Sequence, residues 1–178
     1  GGCITTGMAT DTNGDRILVC LSSNAIVEVA TDTGAAYVVD EGELSIEVSC
    51  IAAHPTEPNT VAVAMSNGVV KLWDISYTRR EVVGSLNMDK KLPSAMCFVS
   101  DTQLAVSIDR SDTGGKSGAI MIVDLSAPDN SDANAPGRKR KGVYRKMKIT
   151  KKLHNIGKGC LRSMKMMPNG KYMAAGSE

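Results

Sequence analysis

The feature that most constrains this chain is a hairpin that recurs. Val61-Ala-Val-Ala-Met65 leads through Ser66-Asn67-Gly68 into Val69-Val-Lys-Leu-Trp73. An Asn-Gly pair between two apolar runs supplies the positive φ angles that a tight β-turn requires. Arg16–Leu21 leads likewise through Ser22-Ser23-Asn24 into Ala25–Val29, and Gln103–Ile108 leads through a longer loop into Ala119–Val123. Asn24, Asn67 and Ser117 take equivalent places before the second strand, at steps of 43 and 50 residues. Apolar strands at Val48–Ala53, Ser94–Val99 and Leu161–Met166 precede hairpins, and outer strands follow them at Ala35–Val39, Glu81–Leu86 and Tyr144–Ile149. No segment keeps a 3.6-residue apolar period long enough for a substantial helix.

Four strands per unit, repeating every 40–45 residues or so, is the pattern of a propeller blade. A blade is a small sheet sandwiched between its neighbours, so its central strands bury both faces and read as continuous apolar runs. The outer strand at Tyr144–Ile149 alternates Met147 and Ile149 with Lys146 and Lys148, which suits one packed face and one wet face. The chain therefore reads as all-β: an incomplete β-propeller of about three and a half four-stranded blades. Blade one spans about 3–40, blade two about 46–87, blade three about 94–150 with a disordered insertion at 126–142, and a half-blade 160–178.

Val69-Val-Lys-Leu-Trp-Asp-Ile75 closely resembles the third strand of a WD repeat, with Trp73-Asp74 as the eponymous pair, and Pro168–Glu178 is similar to the family's turn and second strand. The structural repeat positions are then Asn67, Gly68, Trp73, Asp74, Asp124, Asn169 and Gly170. Val123-Asp124 stands where Trp-Asp would be in the third unit, and Ala30-Thr31 in the first. The resemblance implies a rigid platform on which other proteins assemble, with no chemistry of its own. Three and a half blades do not close a ring of four to eight. With Gly1 rather than Met at the start, the remainder of the same propeller is expected in the full-length chain.

Motifs for chemistry fail on inspection. A phosphate loop ending in Gly115-Lys116-Ser117 would need Gly where Arg110 stands, and its two flanks are strands rather than a strand and a helix. A nucleophile elbow from Gly115 would need Gly at Ala119. His54 and His154 have no carboxylate or cysteine at ligand spacing, so no metal, cofactor or catalytic residue is assigned. Trp73, among apolar neighbours, is a packing residue.

Charge is local. Nine of the fifteen residues from Arg138 to Lys152 are basic, leaving twelve basic against nineteen acidic residues elsewhere. Arg138, Lys139, Arg140, Lys141, Arg145, Lys146 and Lys148 are the candidate contacts for a polyanion or an import receptor. With aromatics at 3%, base stacking has few rings to use. The five cysteines, scattered and without C-x-x-C, point to a reducing compartment, cytoplasm or nucleus. No apolar run is long enough to cross a bilayer, so no membrane partner is expected. The reading is a non-enzymatic interaction scaffold that assembles a multiprotein complex. The alternative is a nuclear or nucleolar component of an RNA-containing, ribosome-assembly particle that uses the basic insertion.

Overall fold

In a computed structural model, the structure describes residues 5–41, 46–89, 91–109, 118–126, 144–154, 156 and 160–177. Among these residues, three four-stranded antiparallel sheets follow one another along the chain, and a two-stranded sheet comes last. The first is β1 (Thr5–Thr10), β2 (Arg16–Leu21), β3 (Ile26–Ala30) and β4 (Ala36–Asp40). The second is β5 (Val48–Ala53), β6 (Thr60–Met65), β7 (Val69–Asp74) and β8 (Glu81–Asn87). The third is β9 (Leu92–Ser100), β10 (Gln103–Asp109), β11 (Ala119–Leu125) and β12 (Met147–Leu153), and the last pair is β13 (Leu161–Met166) with β14 (Met173–Ser177). Strands within each sheet lie in sequence order, and β1, β5, β9 and β13 pack successively against one another as the inner strands.

Burial follows from this stacking. Leu18, Cys20 and Ile26 of the first sheet meet Val48, Ile51, Val61, Val63 and Ile75 of the second. Ala62, Ala64, Val70 and Leu72 of the second meet Leu104, Val106, Met121 and Val123 of the third. A third cluster joins Ala95, Cys97, Ala105 and Ile120 to Leu161 and Met164. Strand β6, sandwiched on both faces, is buried at every position, which is why its sequence does not alternate. At the start of β12 the packed residues Met147 and Ile149 do alternate with the exposed Lys148 and Thr150, and the exposed Lys146 precedes the strand.

The repeat register differs from the sequence reading in three places. Both short hairpins close on an N–H to carbonyl bond across three residues, Asn24 to Leu21 at 2.8 Å and Gly68 to Met65 at 3.0 Å. The donors have φ of 71° and 82°, the left-handed residue that ends a three-residue loop. Asn24 therefore matches Gly68 rather than Asn67. By the same register, Val61 opposite Trp73 matches Ile17 opposite Val29, so the Trp-Asp place in the first sheet is Val29-Ala30, one residue before Ala30-Thr31. The outer strand of the third sheet runs Met147–Leu153, because Arg145 bonds the neighbouring sheet instead (its N–H meets the Val83 carbonyl at 2.6 Å) and a bulge at Thr150 carries the pairing on to Leu153.

Polar clasps cross the seams between sheets. Arg16 pairs with Asp11 at 3.1 Å and donates to the Pro58 carbonyl at 2.6 Å and to Asn59 Oδ1 at 2.9 Å, joining the first sheet to the second. His54 is 1% exposed. The main-chain N–H groups of Thr56 and Glu57 donate to its Nδ1 at 3.3 and 3.0 Å, so Nε2 carries the proton and donates to the Asp101 carbonyl at 2.9 Å. The Thr12 hydroxyl donates to the His54 carbonyl at 2.6 Å, so one residue ties three sheets together.

Candidate functional site

Each inner strand carries an extra residue against its neighbour at one shared place, and β9 carries a second one at Val99. The register slips between Thr5 and Gly7, between Val48 and Cys50, between Pro93 and Ala95, and between Leu161 and Ser163. The surplus residues at the shared place, Thr6, Ser49, Ser94 and Arg162, thus occupy one repeat position. A bulge breaks pairing locally and re-aims a side chain. Together with Met8, Ile51, Met96 and Met164, two residues further along each strand, they line a cavity of about 410 Å³. A second lobe of about 610 Å³ shares those four apolar residues and runs on to Ala53, Pro55, Phe98 and Met166. The cavity is therefore layered: three hydroxyls and a guanidinium at one level, thioethers and an isoleucine at the next.

The chemistry open to this surface is recognition. Ser94 Oγ lies 2.8 Å from Ser107 Oγ, whose hydroxyl reaches the Ala95 and Leu161 carbonyls at 3.2 and 3.4 Å, so this polar corner is tied down rather than poised as a nucleophile. Burial, with a smaller push from Cys20, raises the Cys50 thiol to about 12, and burial raises Cys97 to about 11. Thiols held that high are inert near neutral pH. Among the described residues, no three His, Cys, Asp or Glu side chains converge as metal ligands would.

The cationic residues singled out by the sequence divide. Arg138, Lys139, Arg140 and Lys141 lie outside the described residues. Lys146 and Lys148 are exposed and line a cavity of about 510 Å³ with Thr102, Gln103, Asp124 and Ser126. Arg145 sits beside them in sequence but points to the second sheet, where its Nη2 meets the Glu57 carboxylate oxygens at 2.6 and 2.7 Å. Burial acts to raise the Glu57 carboxyl. Hydrogen bonds from Arg145 and Thr60, with the Arg145 charge, outweigh it and hold the group below its ordinary range. Ser126 and Lys146 clamp the two ends of the intervening segment: the Ser126 N–H meets the Lys146 carbonyl at 3.0 Å, and the Lys146 N–H meets Ser126 Oγ at 3.0 Å.

The repeat positions serve the fold. Asn67, Asp74 and Asn169 each accept an N–H two residues on, from Val69, Ser76 and Lys171 at 3.0, 2.9 and 3.0 Å. Gly170 is left-handed at φ 66°, Asp124 accepts from Gln103 at 2.8 Å, and Trp73 packs at the first seam. Sequence reasoning missed the His54 clasp and the bulge ring. His54 follows an inner strand as Asp11 does, but its long-range partners are main-chain atoms, which leave no spacing signal.

No protein-family model matches the sequence. An uncharacterized WD repeat-containing protein of Schizosaccharomyces pombe is 28% identical over 108 residues, covering 55% of this chain and 20% of the relative. Its relatives are WD-repeat β-propellers. Two solved structures share the fold at low identity. A chain of a mitotic checkpoint complex matches with a TM-score of 0.69 at 9% identity, covering 97% of this chain and 46% of that one. Hsv2 of Kluyveromyces lactis matches with 0.62 at 10%, covering 83% and 46%. This chain thus spans about a fifth of the WD-repeat relative and under half of each solved chain. WD-repeat propellers are generally protein-interaction scaffolds and typically non-enzymatic, and the successive sheets and inner strands seen here share the propeller fold. Among the described residues, no helix is long and apolar enough to cross a membrane.

Proposed function

We propose that this chain is a non-enzymatic scaffold that helps assemble a multiprotein complex, with the layered inner-strand cavity as its recognition surface. The observation that carries the reading is the repeated bulge, which brings Thr6, Ser49, Ser94 and Arg162 to one wall from four separate strands. A polar rim over a methionine-lined floor suits a peptide that offers a polar group above an unbranched or flexible apolar side chain, since thioethers adapt to irregular shapes. One solved structure of similar fold is described as a mitotic checkpoint complex, an assembly of the kind proposed. The cysteines are scattered along the chain and form no C-x-x-C, which supports placement in the cytoplasm or nucleus.

Native mass measurement of the full-length protein from its own cells tests this. Recovery in a stable heteromeric particle is expected. A protein that runs only as a monomer under gentle lysis contradicts the scaffold reading.

The exposed Lys146 and Lys148 support a second reading, in which the basic segment binds RNA in a nuclear or nucleolar particle.

A further inference from the structure

The turns that join the third and fourth strands of the first two sheets share a design. In the first, the Gly34 N–H meets the Ala30 carbonyl at 2.9 Å, and in the second the Arg80 N–H meets the Ser76 carbonyl at 3.2 Å. Both donors are left-handed, Gly34 at φ 69° and Arg80 at φ 43°. Glycine takes that conformation without steric cost, and arginine does not. The second turn therefore holds an arginine where its own repeat shows that glycine serves, and such strain persists where the side chain is needed.

The side chain is held across the first seam. Arg80 Nη1 donates to the Val38 carbonyl of β4 at 2.9 Å, and its guanidinium carbon lies 5.5 Å from the Tyr77 ring centroid. Tyr77 meets Tyr37 edge to face, with centroids 6.4 Å apart. Tyr77 and Tyr37 are 69% and 45% exposed, so half of the chain's four tyrosines gather at one open spot. Tyrosine and arginine are the types that dominate binding hot spots. Among the described residues no ion pair includes Arg80, and its Nε is enclosed without a hydrogen-bond partner. The neighbouring Arg79 is held only loosely, 3.8 Å from Asp74.

We propose that Tyr37, Tyr77 and Arg80 form a docking surface for an acidic peptide segment. A carboxylate takes the Nε edge of Arg80 once the exposed Tyr77 ring swings aside, and an adjacent apolar side chain packs on the two tyrosines. Arg80 matches this task because its planar fork binds a carboxylate through two parallel N–H groups. The surface lies on β4 and the β7–β8 turn, apart from the inner-strand cavity, so the two proposals stand or fall separately.

Fluorescence anisotropy on the full-length protein, with a labelled decapeptide of alternating leucine and glutamate, tests this. Binding is expected, and it should weaken at least about tenfold when glutamine replaces glutamate, in Arg80→Gly, and in Tyr77→Ala. Arg80→Gly should unfold at the same or a higher midpoint than the parent, because glycine relieves the strained φ. Ser49→Trp, in the inner cavity, should bind this peptide as the parent does. No binding by the parent protein, equal binding of the glutamine peptide, or unchanged binding by Arg80→Gly overturns the proposal. The last result would assign Arg80 to guarding the β4 edge.

Discussion

His54 Nε2 donates to the main-chain oxygen of Asp101 at 2.9 Å, and through this bond the second sheet holds the first turn of the third. The imidazole is enclosed, its other nitrogen takes two main-chain N–H groups, and its ring meets Phe98 at 4.8 Å between centroids. His54→Ala takes this partner from the Asp101 carbonyl and from two main-chain N–H groups and opens a cavity beside Phe98. The expected loss is about 3 kcal/mol, read from urea unfolding at pH 7. A loss under about 0.5 kcal/mol, the level of an ordinary surface substitution, would show that the clasp is not needed.

Glu57 and Arg145 make stability depend on acid. A carboxyl held below its unfolded-state pKa contributes fully above that unfolded value and loses the contribution as pH falls toward and through the folded value. The Glu57 side chain is 40% exposed, so solvent screening limits the effect to about 1 kcal/mol. Glu57→Gln should flatten the fall in unfolding midpoint as pH drops below the ordinary carboxylate range, while changing little in the slope near neutrality. An identical acid limb in both proteins would exclude the pair as its source.

Glu28 occupies the place that Leu72 holds in the second sheet, opposite Leu18 as Leu72 is opposite Ala62. It is 1% exposed, one carboxylate oxygen lies 3.6 Å from Arg16, and the other has no hydrogen-bond partner. Arg16 keeps Asp11, Pro58 and Asn59 when Glu28 is removed. Glu28→Leu should therefore stabilise the protein by about 1 kcal/mol or more, because the burial cost of the carboxylate goes and apolar contact replaces it. Chemical denaturation showing a loss of similar size would mean that the carboxylate is the better partner.

Much of this architecture is legible in the chain, and the misses have physical causes. Continuous apolar runs such as Val61–Met65 announce central strands because both faces are buried. Strand β1, Thr-Thr-Gly-Met-Ala-Thr, gives no such signal: Met8 is 67% exposed, and the polar residues suit a cavity wall rather than a core. The one-residue error at Asn24 arose because Asn supports either the centre of a turn or its left-handed end, and only the hydrogen bond to Leu21 decides between them. The cationic run was visible as charge. That Arg145 leaves it for Glu57, 88 residues away, depends on how two sheets stack, which no local pattern encodes.

The basic segment has its own test. Replacing Arg138, Lys139, Arg140 and Lys141 with Ser or Gln should leave the unfolding midpoint unchanged, shift the full-length protein from nucleus toward cytoplasm, and lower RNA recovery at low salt. Unchanged distribution together with unchanged RNA recovery would remove the segment from any functional account.

The central claim, that the inner-strand cavity recruits protein partners, is tested most directly by filling it. Ser49→Trp places an indole among Thr6, Met8, Met96 and Arg162, and Arg162→Ala removes the guanidinium from the same wall. Quantitative affinity purification of each full-length variant, beside the parent and with far-UV circular dichroism to verify the β-fold, should show partners that co-purify in stoichiometric amount with the parent lost from both. Recovery of the same partners in the same amounts from the correctly folded Ser49→Trp protein would contradict the account.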